Sequence, residues 1–342
     1  MRTLLTPGKL ARLLLVAAVM TLIVMGACCL VGTETVSLKA VFADRAPGQN
    51  NPDYEIFVKI RLARTILAVI VGAALACSGA VFQGLLRNPL ADPYILGISS
   101  GAGLGAMVAV MLGIQWTLWG RSPIAVFAFV GALSTVALVW SIGRVAGKYH
   151  VTGLLLAGVV VNAFFSALIM FLTSIANSSQ IQTTLFWLMG NMTEERWDVL
   201  WFSGGLVWTG VVGLFFLAPK LNAISLSDSD ARSLGINVTA VRVCAFGIAA
   251  MITACAVSLS GLIGFVGLII PHAIRLIWGP DHRVLIPLSA LAGGMFLVLA
   301  DTLSRVIVAP AQLPVGVVTA LVGGPIFIGL LIRHNSRLGG RG

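Results

Sequence analysis

The chain is predicted to be an all-α polytopic membrane protein of ten transmembrane helices, with a weak inverted repeat relating spans two to five to spans seven to ten. Three observations carry this. Of 342 residues, 58% are hydrophobic and 10% charged, whereas a soluble domain carries about 25% charged residues. Apolar runs near the ~20 residues that a bilayer requires follow one another with short polar breaks. The net charge of +10 falls on one face of the resulting topology.

Residues 1–12 are basic, and the first span covers 13–32. That run exceeds the apolar stretch of a signal peptide and lacks a clear small-x-small cleavage site. MGAC at 25–28 is only a faint lipoprotein signature, and a permanent first helix accounts for it equally well. A polar loop over about 33–61 contains Pro47, Gly48, Asn50, Asn51 and Pro52. The second span is 65–86. RNPLADP at 87–93 is a loop, because Asn-Pro and Asp-Pro disfavour helix just before the proline. Spans three to five cover 94–114, 123–142 and 153–175, the third with the glycine-rich run GISSGAGLGA. The loop over 176–198 contains FWLMG, suited to a short interfacial helix. Span six is 199–217.

The central interruption, 221–242 within a loop of about 219–242, is the longest polar stretch of the second half. Ser227 followed by Asp228 and Asp230 makes a helix cap and first turn, and Gly235 closes the short helix. Ala231, Leu234 and Ile236 give it an apolar face. Beyond it, spans seven to ten cover 243–259, 260–272 (half-length), 285–300 and 314–332. The whole is one membrane domain over 1–342. The 38 glycines suit helices that pack through small residues.

Ten spans put both termini on one side. The segments on that side hold fourteen Lys/Arg and four acids, and the opposite segments hold eight of each. The whole excess of positive charge therefore lies on one face, as cytoplasmic loops require. Omitting the half-length eighth span would move Arg333, Arg337 and Arg341 to the other face. SGAVFQGLLRNP (78–89) and SGLIGFVGLIIP (260–271) share Ser-Gly, a later Gly-Leu and a proline. They enter from opposite sides, as inverted repeats do.

The function classes narrow by chemistry. The five cysteines (Cys28, Cys29, Cys77, Cys244, Cys255) lie in apolar runs without metal spacing. No HExxH or GxxxxGK[ST] occurs and the four histidines are scattered, so the sequence offers neither a catalytic set nor an ATP site. A proton-coupled carrier would want an acid deep within a span. The one candidate, Asp301, has Arg305 four residues on, spaced for an ion pair. A path remains without an engine of its own.

The sequence resembles the FecCD family, the type II permease subunits of bacterial ABC importers for iron-siderophore, haem or vitamin B12. The resemblance rests on IRLARTILAVIVGAALACSGAVFQGLLRNPLADPYILGISSGAGLGA (60–106), LLLAG (154–158), FWLMG (186–190), ARSLGI (231–236), GLIGFVGLIIPHAIRL (261–276) and LPVGVVTALVGGPIFIGLL (313–331). It implies ten helices per subunit, a second permease copy as a homodimer, and two ATP-binding cassette subunits that hold ATP and Mg. It also implies a periplasmic substrate-binding protein and a location in the bacterial inner membrane with cytoplasmic termini. No cofactor, metal or nucleic acid is assigned to this chain. Arg61, Arg64 and Arg305 match family arginines that meet acids on the binding protein. Ser227, Asp228, Asp230, Ala231, Arg232, Ser233, Leu234 and Gly235 match the coupling helix that seats in the ATPase. Family spans five and ten and the loop before span five line or gate the pathway, which here points to His150, Val151, Thr152, Asn162 and Ser166. Thr173 is a further polar position in span five. The expected cargo is an iron chelate, with cobalamin and haem as alternatives. An ion-gradient-driven carrier is the competing class.

Overall fold

The structure is a computed structural model that describes residues 6–42, 51–114, 122–145, 151–193 and 195–339. It is helical throughout, with no strand among the described residues. The elements used below are α1 (Pro7–Leu30), α2 (Ala63–Leu85), α3 (Ile98–Met111), α4 (Pro123–Val145), α5 (Val151–Ile175), α6 (Ser178–Leu188), α7 (Trp197–Leu226), α8 (Asp228–Ser233), α9 (Val238–Ser260), α10 (Val266–Trp278), α11 (His282–Val306) and α12 (Val315–Gly339). Among the described residues seven helices are long and apolar enough to cross a membrane, and α3, α10 and α12 are shorter apolar helices. Together they make the ten segments expected.

α2 is the axis of the fold. All its residues except Ile66, Val69 and Ala73 are buried, although nearly all are apolar and could equally face lipid. They are enclosed because α7, α9, α10 and α11 pack around it. Glycine sets the approach. A Cβ on Gly72 would lie 2.2 Å from the Gly293 carbonyl oxygen of α11, and one on Gly79 would lie 1.8 Å from the Gly267 carbonyl oxygen of α10. Lipid tails are as apolar as leucine, so close backbone contact, rather than hydrophobic burial, holds such helices together.

Several boundaries differ from expectation for local reasons. The helix leading into α2 starts at Pro52, not 65: Asn51 accepts from Tyr54 N–H, proline takes the first position, and a π-helical segment, Glu55–Leu62, runs straight into Ala63. A proline at the first turn lacks only an N–H that would be unpaired anyway. α7 continues through Pro219 to Leu226 and spans 30 residues, about 45 Å at 1.5 Å per residue. The central interruption shrinks accordingly to the stretch between α7 and α9. The third span is preceded by a 3-10 turn, Pro93–Leu96, and Gly97 in left-handed backbone (φ +79°). The short helix expected around FWLMG is α6, and it packs beside α3, with Gln180 against Val110 and Met111, Thr184 against Met107, and Leu188 against Gly103.

The Ser-Gly pairs of the repeat do not occupy equivalent places. Ser78 lies within α2, whereas Ser260 is the last residue of α9. The two segments instead cross at Gly79 and Gly267.

Candidate coupling and translocation site

Asp301, near the end of α11, marks one end of the bundle. Its two oxygens accept from Arg64 Nε at 2.7 Å and Arg305 Nε at 3.1 Å. The i,i+4 pair read from the sequence is therefore present, and a second arginine from α2 shares the carboxylate. Arg64 also donates to Gln312 at 2.9 Å, and Arg305 to Thr302 and the Val31 carbonyl. Arg61 feels the Glu34 carboxylate through space, without a direct salt bridge. It donates to the carbonyls of Cys29, Leu30 and Glu34. The three arginines thus meet in one cluster, but they are 4–7% exposed and Asp301 is 1% exposed. The setting differs from the exposed one that snorkelling or surface docking implies. The cause is α1, whose C-terminal carbonyls need donors and cover the guanidinium groups. Three cations set against Asp301 and the nearby Glu34 still leave an excess of positive charge, and Arg64 Nη2 has no hydrogen-bond partner among the described residues.

The opposite end carries α8. Ser227 Oγ accepts from Ser229 N–H at 3.1 Å and Asp230 N–H at 3.4 Å, the cap that its position implies. Gly235 has φ +75°, so glycine closes the helix without a Cβ penalty. The apolar face resolves differently from the expectation. Ala231 is buried against the bundle and Leu234 is 73% exposed, because Leu234 already lies past the helix at its C-cap. Asp230, Arg232, Ser233, Leu234 and Gly235 form the open ridge.

Asp228 faces inward. It pairs with Arg87 from the turn after α2 and with Arg242 of α9 at 3.1 Å. Burial acts to raise its carboxyl, but the two guanidinium groups outweigh it and hold the group below its ordinary range. A second knot lies beside it. Asn222 of α7 donates to Asp281 at 2.7 Å and accepts from His282 N–H at 2.8 Å. Here too burial is outweighed, by bonds from Arg283 and Asn222, and the Asp281 carboxyl falls to about 2. Sequence reading missed Arg87, Asn222 and Asp281 as site residues. The signal for Asp281 was an aspartate at a helix start; Arg87 carried none.

Between the two ends lies an open cavity of about 680 Å³ lined by Ser99, Ser100, Asn162, Ser166, Thr173 and Ser174, with Ile169, Met170, Leu185, Leu188 and Leu262 as its apolar lining. Asn162, Ser166 and Thr173 recur at helical spacing and so form one stripe of α5. Val151 and Thr152 are the first two residues of that helix, and His150 lies outside the described residues. The opposite wall is the first turn of α3, within the glycine-rich run noted in the sequence. α3 and α4 can approach there because a Cβ on Gly101 would lie 1.8 Å from Thr135 Oγ1. The lining offers hydroxyl and amide groups among apolar side chains. Among the described residues no group of three or more His, Cys, Asp or Glu is placed to hold a metal ion.

A family model described as the FecCD transport family matches residues 15–333. A hemin transport system permease of Yersinia pestis is 41% identical over 294 residues, covering 85% of this chain and 87% of that protein. A cobalamin import system permease of Halobacterium salinarum is 43% identical over 272 residues, with 80% and 72% covered. A protein of Helicobacter pylori named for iron chelatin transport is 42% identical over 279 residues, with 81% and 82% covered. Among solved structures, a transporter of the metal-chelate ABC type in an inward-facing conformation superposes with a TM-score of 0.84. It is 30% identical, and the match covers 94% of this chain and 99% of that one.

Proposed function

The chain belongs to the FecCD transport family, as a membrane permease of ABC importers, and from that premise we propose that it imports a metal chelate carried whole, an iron-siderophore first among the candidates. The observation that carries the substrate class is the cavity. Hydroxyl, amide and apolar groups suit a bulky ligand whose own donors already hold the metal. Haem and cobalamin share that chemistry, and relatives named for both are about equally similar to this chain.

The working unit is a homodimer in the bacterial inner membrane, with termini on the cytoplasmic side. Two ATP-binding cassette subunits contact α8 through Asp230, Arg232, Ser233, Leu234 and Gly235. ATP and Mg bind those subunits. A periplasmic binding protein meets the end that holds Arg61, Arg64 and Arg305. The excess of positive charge there supports this role, since an acid on the partner would complete the cluster and set its register. Docking would draw on charge that reaches the surface only at the cluster's edge, so affinity there is modest.

The test is uptake into liposomes holding the permease, its ATPase and the binding protein, offered a ferric siderophore, hemin and cobalamin in turn. ATP-driven uptake of one chelate, dependent on the binding protein, is the expected result. Uptake driven by a proton or sodium gradient without ATPase would sink the importer reading. A preference for hemin or cobalamin would keep the importer and replace the siderophore.

A further inference from the structure

The end of α2 closes in the manner of a glycine-terminated helix, but an arginine occupies the glycine position. Asn88 N–H donates to Gln83 O, and Arg87 N–H to Gly84 O. These are the paired return bonds that end a helix on a left-handed residue. Arg87 is that residue, at φ +48°. α8 ends in the same pattern, with Ile236 N–H on Ala231 O and Gly235 N–H on Arg232 O, and there glycine fills the position. Left-handed backbone costs a side-chain-bearing residue free energy that glycine is spared. Such strain persists where the side chain is needed.

The Arg87 side chain shows the need. Its Nε and Nη2 donate to the Ile224 carbonyl in the last turn of α7, at 3.1 and 2.6 Å. Nη2 also reaches Asp228 Oδ1 in the first turn of α8. One guanidinium therefore grips both sides of the joint at Ser227. Arg242 holds the same Asp228 from α9, which fixes the carboxylate between two cations. A planar fork of donors suits this double grip; a lysine has only a point charge.

Arg87 also opens the segment that leads to the cavity, and that segment is braced along its length. Asn88 accepts from Leu90 N–H and Asp92 from Tyr94 N–H. The Tyr94 hydroxyl donates to Ile263 O and accepts from Ile263 N–H, both at 2.9 Å. Ser99 and Ser100, on the cavity wall, follow Gly97 after one residue, Ile98.

We propose that Arg87 is a positioning residue that transmits displacement of α8 to the Ser99–Ser100 wall of the cavity. The proposal rests on the reading of α8 as the ATPase contact. It accounts for a left-handed arginine where α8 itself uses glycine.

The test uses the permease assembled with its ATPase in lipid nanodiscs, with the exposed Cys244 replaced by serine and Ser99→Cys as reporter. The probe is a membrane-impermeant maleimide, and its labelling rate is read with and without ATP and vanadate. ATP is expected to change the rate about fivefold or more, and Arg87→Gly to cut the change below about twofold while ATP is still hydrolysed, a loss in the range of coupling between sites. Arg87→Gly relieves the left-handed position, so its melting temperature should hold, which separates lost transmission from lost folding. Arg87→Lys should restore part of the response. If Arg87→Gly does not assemble, Asp228→Asn carries the same comparison from the other side of the pair. The proposal is overturned if ATP leaves Ser99→Cys labelling unchanged in the parent, or if the response survives intact in both variants. Failure of the importer reading has a different signature: no ATPase subunit assembles even with the unaltered chain, and both readings then fall together.

Discussion

Asp301 holds two guanidinium groups, one on each oxygen, and the three side chains are almost wholly buried. Removing one charge from such a set leaves the others desolvated and unpaired. Asp301→Asn should therefore lower stability by about 3–5 kcal/mol, the cost of breaking a buried pair, read as a fall in melting temperature in detergent. Asp92 carries the opposite expectation. Burial raises its carboxyl to about 6, against the Tyr94 N–H bond that favours the charged form. Its folded value lies above the unfolded one, so the charge opposes folding above pH 6 and the opposition fades as pH falls towards the ordinary carboxylate range. Asp92→Asn keeps an acceptor for Tyr94 N–H and removes the charge. It should stabilise the chain by about 3 kcal/mol at neutral pH, at ~1.4 kcal/mol per pKa unit, and the gain should vanish near pH 4. Melts at the two pH values check the sign; a gain that persists at low pH would refute it. The Asp301–Arg305 pair was legible because four residues separate its members. Arg64 was not, because 237 residues lie between it and Asp301 and only the packing of α2 on α11 unites them.

Helix crossings explain why composition revealed the number of segments but not their arrangement. Gly72 and Gly247 look alike in sequence, each a glycine flanked by apolar residues within a long apolar helix. A Cβ on Gly72 would strike the Gly293 carbonyl at 2.2 Å, whereas one on Gly247 meets nothing within 4 Å. Gly72→Ala should therefore push α2 from α11 and cost about 3 kcal/mol, as overpacking does. Gly247→Ala should fall within about 1 kcal/mol of the parent. Thermal unfolding of the two variants side by side tests the crossing, and equal melting temperatures would count against it. The cap and stop of α8 were readable from Ser227 and Gly235, since both act on the nearest backbone. Its docking face was not, because Leu234 falls on the C-cap rather than on the helix. Leu234→Asp should leave stability within about 0.5 kcal/mol, as exposed substitutions do. On the proposed role of the ridge, it should also weaken co-purification of the ATPase. Retained co-purification would move the contact elsewhere on α8.

Across the whole molecule, hydropathy and charge determine most of what could be read in advance. A bilayer demands apolar segments of fixed length, so ten segments were countable even where α3 and α10 are short. The enclosure of α2 was not countable, because a helix surrounded by protein and one surrounded by lipid have the same composition. The cavity was legible only in part. Asn162, Ser166 and Thr173 stand out as polar positions of α5, but the α3 wall depends on the turn at Gly97. The proposed orientation rests on charge alone. In the ten-span topology read from the sequence, all of the net +10 falls on the face assigned to α8 and both termini, and translocation of short basic loops is disfavoured. Ser229 is exposed at that end, and Thr35, exposed after α1, belongs to the other. With Cys244 replaced by serine, Ser229→Cys should react with an impermeant maleimide only in inverted membrane vesicles, and Thr35→Cys in intact spheroplasts. The reverse pattern would place α8 outside the cell, beyond reach of any cytoplasmic ATPase, and the coupling role of α8 and the Arg87 link would fail with it.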